Sequence, residues 1–269
     1  MRRGDVVEAV HIVHAASSDG ALYGDDVVSH LRSAAKPIQA VPLAEAYDEL
    51  DDDELAIACS SHQAEPAQLE AVRKLLDRAG ASVADLENGP QEGRPEGRLG
   101  HNCSGKHAGF LAACRANGWP FAGYRLPEHP LQQRIRSLLD GGEPAVDGCG
   151  IPTYAQPLST QARLLLATTP RIAQAMRARP ELVGGEGADD TALMQLLPGA
   201  IAKRGAEGLL CVALPDGRGY AFKVADGNGR ALRPAVGAVL GVEELAVVPV
   251  LNSRGDTVGA IELEPSTTP

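Results

Sequence analysis

The sequence predicts an α+β fold in which the two ends of the chain form an antiparallel sheet with helices on its faces. Strand-like patterns cluster at about residues 5–30 and 205–263, whereas the middle of the chain is mainly helical. A regular alternation of strands and helices is absent, which disfavours a Rossmann or barrel architecture. With 269 residues, of which 44% are hydrophobic, residues 1–269 are expected to form a single domain around one core.

The amino-terminal elements follow from alternating and apolar patterns. The segments "VVEAVHIVHAA" and "ALYGDDVV" predict two strands joined by a turn at "SSDG". The segment "AKPIQAVPLAEAYDEL" predicts helix despite two prolines, because Pro37 is tolerated in a first turn. The acidic run "DELDDDE" is expected to be a solvated loop, and "ELAIACSS" is expected to be a buried strand after it.

The middle and end of the chain carry clearer signals. "EPAQLEAVRKLLDRAG" and "KHAGFLAACRANG" predict helices that end at a glycine, with a Gly/Pro-rich loop over residues 87–100 between them. "DDTALMQLL" predicts a short helix with an aspartate as its cap. The remaining predictions are helices over 129–140, 159–179 and near 231–240, a hairpin around Asp216-Gly217, and strands near 247–251 and 257–263.

Composition excludes several classes of partner. The net charge of −10 and the 3% aromatic content disfavour nucleic-acid binding. No apolar run is long enough to span a membrane, and the amino terminus lacks the uncharged apolar stretch of a signal peptide, so a cytoplasmic protein is expected. An odd, scattered set of cysteines points to free thiols, a metal or catalysis: Cys59, Cys103, Cys114, Cys149 and Cys211.

The segment "GHNCSGKHAGF" at residues 100–110 allows more than one function. It fits the phosphate-loop spacing up to Lys106, but His107 replaces the required Ser or Thr and no strand precedes the loop, which disfavours nucleotide binding. Cys103, Lys106 and Cys149 would form a metal site if they converged, although lysine must lose a proton to act as a ligand. The alternative is that both cysteines are small buried residues.

A serine–lysine motif is the stronger catalytic candidate. In "LRSAAKPIQA", Ser33 and Lys36 lie three residues apart and share a face at the start of a helix. A lysine deprotonates a serine only when it is neutral, which burial or a nearby cation favours. This S-x-x-K spacing is the nucleophile motif of serine β-lactamases, although a chance match on a surface helix is the alternative.

A second serine–lysine pair is available. Lys203 precedes a late strand in "AKRGAEGLL", and Ser61 and His62 follow the predicted strand "ELAIACSS". Two such pairs in one cleft would lower each other's lysine pKa by repulsion. The alternative for Ser61 and His62 is a helix cap, with Glu65 completing a capping box.

These motifs together resemble one family. "RSAAKPIQA", "ACSSHQAEP", "HNCSGKHAGF", "DGCGIPTYAQPL", "DDTALM" and "AKRGAEG" occur in the order found in the asparaginase II family, the thermolabile Rhizobium etli type of L-asparaginase. The similarity extends from about residue 6 to about residue 260. It implies a serine β-lactamase/glutaminase-like fold, hydrolysis of L-asparagine to L-aspartate and ammonia, and a homodimer.

The resemblance also assigns roles to residues. It implies catalytic pairs at Ser33 with Lys36 and at Ser61 with Lys203. It implies a Zn²⁺ ion at Cys103, Lys106 and Cys149, with water completing the shell and Asp147 near that water. The expected reaction is an attack by Ser33 after Lys36 removes its proton, with Ser61 as the alternative acylated residue.

The substrate is expected to contact Arg32, His62 and Asp147, with the guanidinium of Arg32 or a neighbouring cation on its carboxylate. Two alternatives remain for the function. One is a serine amidohydrolase acting on glutamine, a β-aspartyl peptide or a β-lactam, and the other is a non-enzymatic zinc-binding protein.

Overall fold

The computed structural model describes residues 1–264 and has a mixed architecture of antiparallel sheets and helices. The strands are β1 (Arg2–Arg3), β2 (Val6–Val7), β3 (Val13–Ser17), β4 (Gly20–Tyr23), β5 (Val28–His30), β6 (Glu143–Val146), β7 (Pro152–Pro157), β8 (Ile201–Arg204), β9 (Leu209–Ala213), β10 (Gly219–Val224), β11 (Val247–Leu251) and β12 (Thr257–Glu262).

The helices are α1 (Lys36–Gln39), α2 (Val41–Ala46), α3 (Asp52–Ala58), α4 (Pro66–Ala79), α5 (Ser104–Asn117), α6 (Pro130–Ser137), α7 (Leu158–Ala162), α8 (Pro170–Ala178), α9 (Pro180–Gly184), α10 (Asp189–Leu196), α11 (Leu232–Leu240) and α12 (Glu243–Ala246). Short 3₁₀ turns cover Arg32–Ala35, Val83–Asp85, Leu164–Ala167 and Gly229–Ala231.

The predicted α+β class is confirmed, and strands from the two chain ends pair antiparallel as expected, but they form two sheets instead of one. The two chain ends form two sheets, with strand orders β4-β3-β10-β9-β8 and β11-β12-β1-β2. The chain leaves one sheet after β2 and enters the other at β3, so the continuous segment that was expected to be one strand is divided. A third sheet, β5-β7-β6, lies in the middle of the chain. Strands β6 and β7 escaped prediction because prolines interrupt the alternating pattern.

One predicted element has the wrong type. The segment expected to be a buried strand and the acidic run before it form helix α3. Asp51 accepts a hydrogen bond from the Glu54 amide at 3.0 Å, and the Glu54 carboxylate accepts one from the Asp51 amide at 3.2 Å. This capping box, together with acidic residues in the first turn, starts the helix, so residues 52–54 of the acidic run belong to a helix, whereas residues 48–51 lie outside it.

Helix α5 is central to the core. Residues 104–114 are all buried, and the helix packs against α2, α3 and α4. Gly105 makes this packing feasible, because a Cβ at that position would lie 2.2 Å from the Ile57 carbonyl oxygen of α3. The close contact brings the start of α5 next to the end of α3. The segments that carry Cys103 and Ser61 therefore lie side by side.

Candidate active site

Ser61 is the meeting point of two lysines. Lys36 Nζ and Lys203 Nζ donate hydrogen bonds to Ser61 Oγ at 3.0 Å and 2.9 Å. Ser61 follows α3, Lys36 begins α1 and Lys203 lies on β8, so three separate elements build this centre. The exposed fraction is 5% for Ser61 and 0% for each lysine. A hydroxyl held between two dehydrated amines is placed to exchange protons with either of them.

The two lysines differ in their other partners. Lys36 Nζ also donates to the carbonyl oxygen of Ser60 and, at 3.3 Å, to that of Asn102. Both acceptors are neutral, and burial lowers the pKa of Lys36 while the nearby Cys103 opposes this effect. A protonated Lys36 amine donates to all three acceptors, whereas a neutral amine donates to the two carbonyls and accepts from the Ser61 hydroxyl through its lone pair.

Lys203 instead contacts a carboxylate. Its Nζ donates to Asp190 Oδ2 at 3.0 Å and to the Arg204 carbonyl oxygen at 3.1 Å. Burial lowers the pKa of Lys203 to about 8, although the Asp190 carboxylate acts in the opposite direction. Of the two lysines, Lys203 therefore has the partner that favours the ammonium form.

Ser33 lies in the 3₁₀ turn that leads into α1 and is half-buried. The expected hydrogen bond from Ser33 to Lys36 is not present among residues 1–264, since the Lys36 amine is directed to Ser61 and two carbonyls. The turn begins at Arg32, which has a φ of +46°, a left-handed conformation that is uncommon for a side-chain-bearing residue. The Arg32 amide donates to Thr153 Oγ1 at 3.0 Å and anchors this turn to β7.

The three predicted metal ligands come together. Lys106 Nζ donates to Cys149 Sγ at 3.0 Å, and all three side chains are buried. A hydrogen bond with Cys149 holds the pKa of the Cys103 thiol well below its usual range and raises the pKa of Cys149. Burial alone would lower the pKa of Lys106, but the two cysteines more than offset it, so this pKa is raised.

The donor set fits a thiophilic metal with one unusual ligand. Within residues 1–264 no cluster of three or more His, Cys, Asp or Glu side chains is arranged to hold a metal ion. A metal held here would therefore take two thiolates and the Lys106 amine as its third protein ligand. Thiolates are ligands that zinc prefers, and the amine would have to lose a proton.

The three predicted substrate contacts have different surroundings. The Arg32 guanidinium forms an ion pair with Asp147 Oδ1, so these two side chains lie together beside Cys149. His62 is fully buried, and both nitrogens of its ring make hydrogen bonds within the protein. Its Nδ1 accepts from the Ala64 amide at 3.1 Å, so its Nε2 donates to Ser104 Oγ at 2.8 Å. His62 therefore connects the Ser61 loop to the start of α5.

Asp190 is the residue of this site that the sequence reasoning missed. An aspartate of "DDTALMQLL" was expected to cap a helix, but Ala188 occupies the cap position and no side chain caps the helix there. Asp190 is instead fully buried against Lys203. Only the presence of "DDTALM" among the family motifs pointed to this segment, and it gave Asp190 no role.

Two further observations bear on the protein's class. No helix within the described residues is long and apolar enough to cross a membrane. The structure has a cavity of about 150 Å³ whose lining includes Val7, Ala235 and Ile261. None of the candidate site residues lines this cavity.

Comparison with known families identifies the chain. The sequence profile described as L-asparaginase II matches residues 1–263, which is nearly the whole chain. A search of curated proteins found no match. The extent of the profile match shows that the chain belongs to the L-asparaginase II family and is a hydrolase that acts on the amide of asparagine.

Proposed function

We propose that this protein is an L-asparaginase that hydrolyses L-asparagine to L-aspartate and ammonia through a covalent intermediate on a serine. The observation that carries the proposal is the convergence of Lys36 Nζ and Lys203 Nζ on Ser61 Oγ in a buried centre. Such a centre removes a proton from a hydroxyl and returns one to a leaving amine, which are the two transfers that amide hydrolysis requires. Family membership argues against the alternative of a non-enzymatic zinc-binding protein.

The acylated residue is proposed to be Ser33. Its side chain is half-buried, whereas Ser61 is only 5% exposed, so Ser33 is the more accessible of the two to an incoming amide. Its hydrogen bond to a base would form when the substrate binds, as catalytic hydrogen bonds often tighten only in the complex. Ser61 is the alternative nucleophile because both lysines contact it directly.

The reaction divides into acylation and deacylation. Lys36 accepts the serine proton as the serine oxygen attacks the side-chain carbonyl carbon of asparagine. The C–N bond then breaks, and the nitrogen leaves as ammonia after receiving a proton relayed through Ser61 and Lys203. Water hydrolyses the β-aspartyl ester with the same groups in reverse order. Backbone N–H groups at the turn around Ser33 are proposed to stabilise the oxyanion.

Substrate recognition is proposed to use the Arg32 and Asp147 pair. Their two charges already neutralise each other, and each retains free hydrogen-bonding capacity: further N–H groups on Arg32 and a second oxygen on Asp147. An amino acid brings one carboxylate and one ammonium, so this pair complements both ends of its backbone. His62 is proposed to act indirectly, by fixing the loop that carries Ser61.

A Zn²⁺ ion is proposed at Cys103, Lys106 and Cys149. When bound there, zinc would hold the substrate's polar groups and shape the pocket. Metal content measured by mass spectrometry on the purified protein tests this assignment. About one zinc per chain is expected for the native protein and close to none for Cys103→Ala.

Cys114→Ala is the matched control for the zinc site, because Cys114 is a buried thiol on α5, the helix that Cys103 precedes. This variant should keep its zinc. Retention of zinc by Cys103→Ala, or its loss from Cys114→Ala, would contradict the assignment.

The catalytic proposal is tested by ammonia release from L-asparagine and L-glutamine, by release of the amine product from a β-aspartyl peptide, and by ring opening of a β-lactam. Asparagine should be the preferred substrate. The acyl-enzyme, trapped by acid quench, should carry its adduct on the peptide that contains Ser33, and Ser33→Ala should abolish both the adduct and turnover. An adduct on Ser61 would favour the alternative nucleophile, and an adduct on neither serine would contradict the mechanism.

Fold relationship, assembly and location complete the proposal. A serine β-lactamase/glutaminase-like arrangement is supported by a five-stranded antiparallel sheet to which both chain ends contribute.

A homodimer is supported by exposed apolar side chains near the amino terminus, such as Val10 and Ile12, and light scattering in solution tests it. A cytoplasmic location is supported by five cysteines that are all free. Nucleic acid and membrane surfaces are not proposed as partners, given the net charge of −10.

A further inference from the structure

Asp190 is a buried carboxylate whose partners are nearly all on one strand. Its Oδ2 accepts from Lys203 Nζ at 3.0 Å and from the Arg204 amide at 3.4 Å, and Arg204 Nε lies 3.8 Å from Oδ1. Oδ1 has no hydrogen-bond partner among the described residues, and the exposed fraction of Asp190 is 0%. A buried charge is tolerated when it is paired, and Lys203 is the closest charged side chain to it.

The backbone around Asp190 leaves the carboxylate little freedom. A Cβ placed on Gly184 would lie 2.3 Å from Asp190 Oδ1 and 2.5 Å from Thr191 Oγ1. The glycine therefore lets the end of α9 approach the carboxylate more closely than any other residue would. With one oxygen against this backbone, the other oxygen is directed at Lys203.

Lys203 in turn has three acceptors for its amine. They are Asp190 Oδ2, the Arg204 carbonyl oxygen at 3.1 Å and Ser61 Oγ at 2.9 Å. An ammonium group has three N–H donors, so the protonated form satisfies every contact. A neutral amine would donate only to Asp190 and the Arg204 carbonyl and would have to accept from the Ser61 hydroxyl, so it could not present a proton to Ser61.

We propose that Asp190 is a positioning residue that holds Lys203 as an ammonium directed at Ser61 Oγ, so that Lys203 enters the reaction as the proton source of the relay. The inference rests on the proposed Ser–Lys function, and it assigns the direction of proton flow within that site. The polar partners of the Asp190 carboxylate are Lys203 and Arg204, so it acts on Ser61 through Lys203.

The groups that face Lys203 determine its titration. Burial is the largest influence and lowers its pKa to about 8, Asp190 raises it, and Lys36 and Arg204 lower it. Two buried thiols, Cys59 and Cys211, also lie within electrostatic reach of it. The ammonium form is lost as pH rises through the pKa of Lys203, so kcat should fall on the alkaline side near pH 8. Removing the Asp190 charge lowers this pKa and moves the fall to lower pH.

The test is the pH profile of kcat for Asp190→Asn, with asparagine as substrate. An opposite charge at hydrogen-bond distance shifts a pKa by about one to three units, so the alkaline limb should move down by at least about one pH unit. The loss of kcat at pH 8.5 should then be roughly tenfold greater than the loss well below the limb.

Two variants serve as controls. Asp189→Asn changes the neighbouring aspartate, which pairs with Arg233 at 2.6 Å, and it should leave the limb where it is. Asp190→Glu keeps the charge with a longer side chain, so it should lower kcat while the limb stays near its native position. An unmoved limb in folded Asp190→Asn, or equal shifts in the Asn and Glu variants, would overturn the proposal.

A direct titration separates this inference from the proposed function. The chain has five lysines, so NMR with ¹³C-labelled lysine resolves individual amines, and Lys203→Met assigns the relevant signal. The Lys203 signal should titrate at lower pH in Asp190→Asn than in the native protein, even if no amide were hydrolysed. If Asp190→Asn does not fold, the native titration decides: a Lys203 that is already neutral at pH 6.5 would overturn the proposal.

Discussion

Ser61→Ala is the change that examines the candidate site most directly. It removes the one hydroxyl that accepts hydrogen bonds from both Lys36 and Lys203. Both amines keep their other acceptors, so the variant isolates what the hydroxyl does. We expect a large loss of activity with a moderate loss of stability.

The geometry gives the size of the lysine interaction. Because both Nζ atoms lie within 3.0 Å of Ser61 Oγ, they are at most about 6 Å apart. Two ammonium groups at about 6 Å repel by roughly 3 kcal/mol at an effective dielectric constant of about 20. That energy corresponds to about two pKa units, and it adds to burial in favouring the neutral form of one amine of the pair.

The two consequences of Ser61→Ala follow from this state. The remaining ammonium loses an acceptor for one buried N–H, which costs about 1–3 kcal/mol of the free energy of unfolding. The proton relay loses its central hydroxyl, and general acid–base catalysis of this kind contributes about 10²–10⁴-fold. We therefore expect kcat/KM to fall by roughly 10²–10⁴-fold, or about 3–5 kcal/mol of transition-state stabilisation.

Ser60→Ala is the matched control. Ser60 is adjacent and fully buried, but its hydroxyl has no hydrogen-bond partner within residues 1–264. Its removal should leave kcat/KM within about threefold of the native value and should not lower stability, since an unpaired buried hydroxyl is itself unfavourable. Initial rates of ammonia release and urea unfolding measure both effects. Ser61→Ala with more than a tenth of native activity would refute the reasoning.

Three further predictions concern the surroundings of the site. Burial lowers the pKa of His62 to about 3, so between pH 3 and pH 6.5 the folded state binds fewer protons at His62 than the unfolded state does. The contribution of His62 to stability is therefore full above pH 6.5 and decreases as the pH falls toward 3. Within that pH range, His62 should make the free energy of unfolding rise by at most about 1.4 kcal/mol per pH unit. Urea unfolding of His62→Gln should lack this pH-dependent contribution. Glu54→Gln weakens the capping box and the 2.6 Å ion pair with Arg78, and it should lower the free energy of unfolding by about 1–2 kcal/mol at pH 7. The control is Glu49→Gln, because Glu49 is exposed and also pairs with Arg78; it should change the free energy of unfolding by less than about 0.5 kcal/mol. Ser104→Ala removes the acceptor of His62 Nε2, so zinc content and kcat/KM should fall together; a fall in only one would contradict the link between the two halves of the site.

Elements with strong local signals were predictable from the sequence. Helices α4 and α5 end at Gly80 and Gly118, which have φ values of +60° and +68°, as their carboxyl-terminal glycines suggested. The hairpin of β9 and β10 around Asp216-Gly217 is also confirmed. These features depend on residues close together in the chain. Helix α3 was mistaken for a strand because its short apolar run fits both types, and its cap decides between them.

The contacts of the site were less predictable. The spacing of Ser33 and Lys36 places them on one face, but the long lysine side chain reaches past Ser33 to acceptors from two other segments, at Ser60 and Asn102. Sequence spacing carries no information about those tertiary acceptors. Asp190 was missed for the same reason, since its partner lies on a strand 13 residues later.

The segment 100–110 now has a physical explanation that a phosphate loop would not give. Gly105 is required by the close approach of α5 to the Ile57 carbonyl oxygen, and no nucleotide is needed to explain it. The Asn102 carbonyl accepts from Lys36, and Ser104 accepts from His62, next to Ser61. The same segment carries Cys103 and Lys106. A movement of this segment on metal binding would therefore displace partners of Lys36 and of His62, the residue that follows Ser61, which makes the proposed metal site and the Ser–Lys centre parts of one unit.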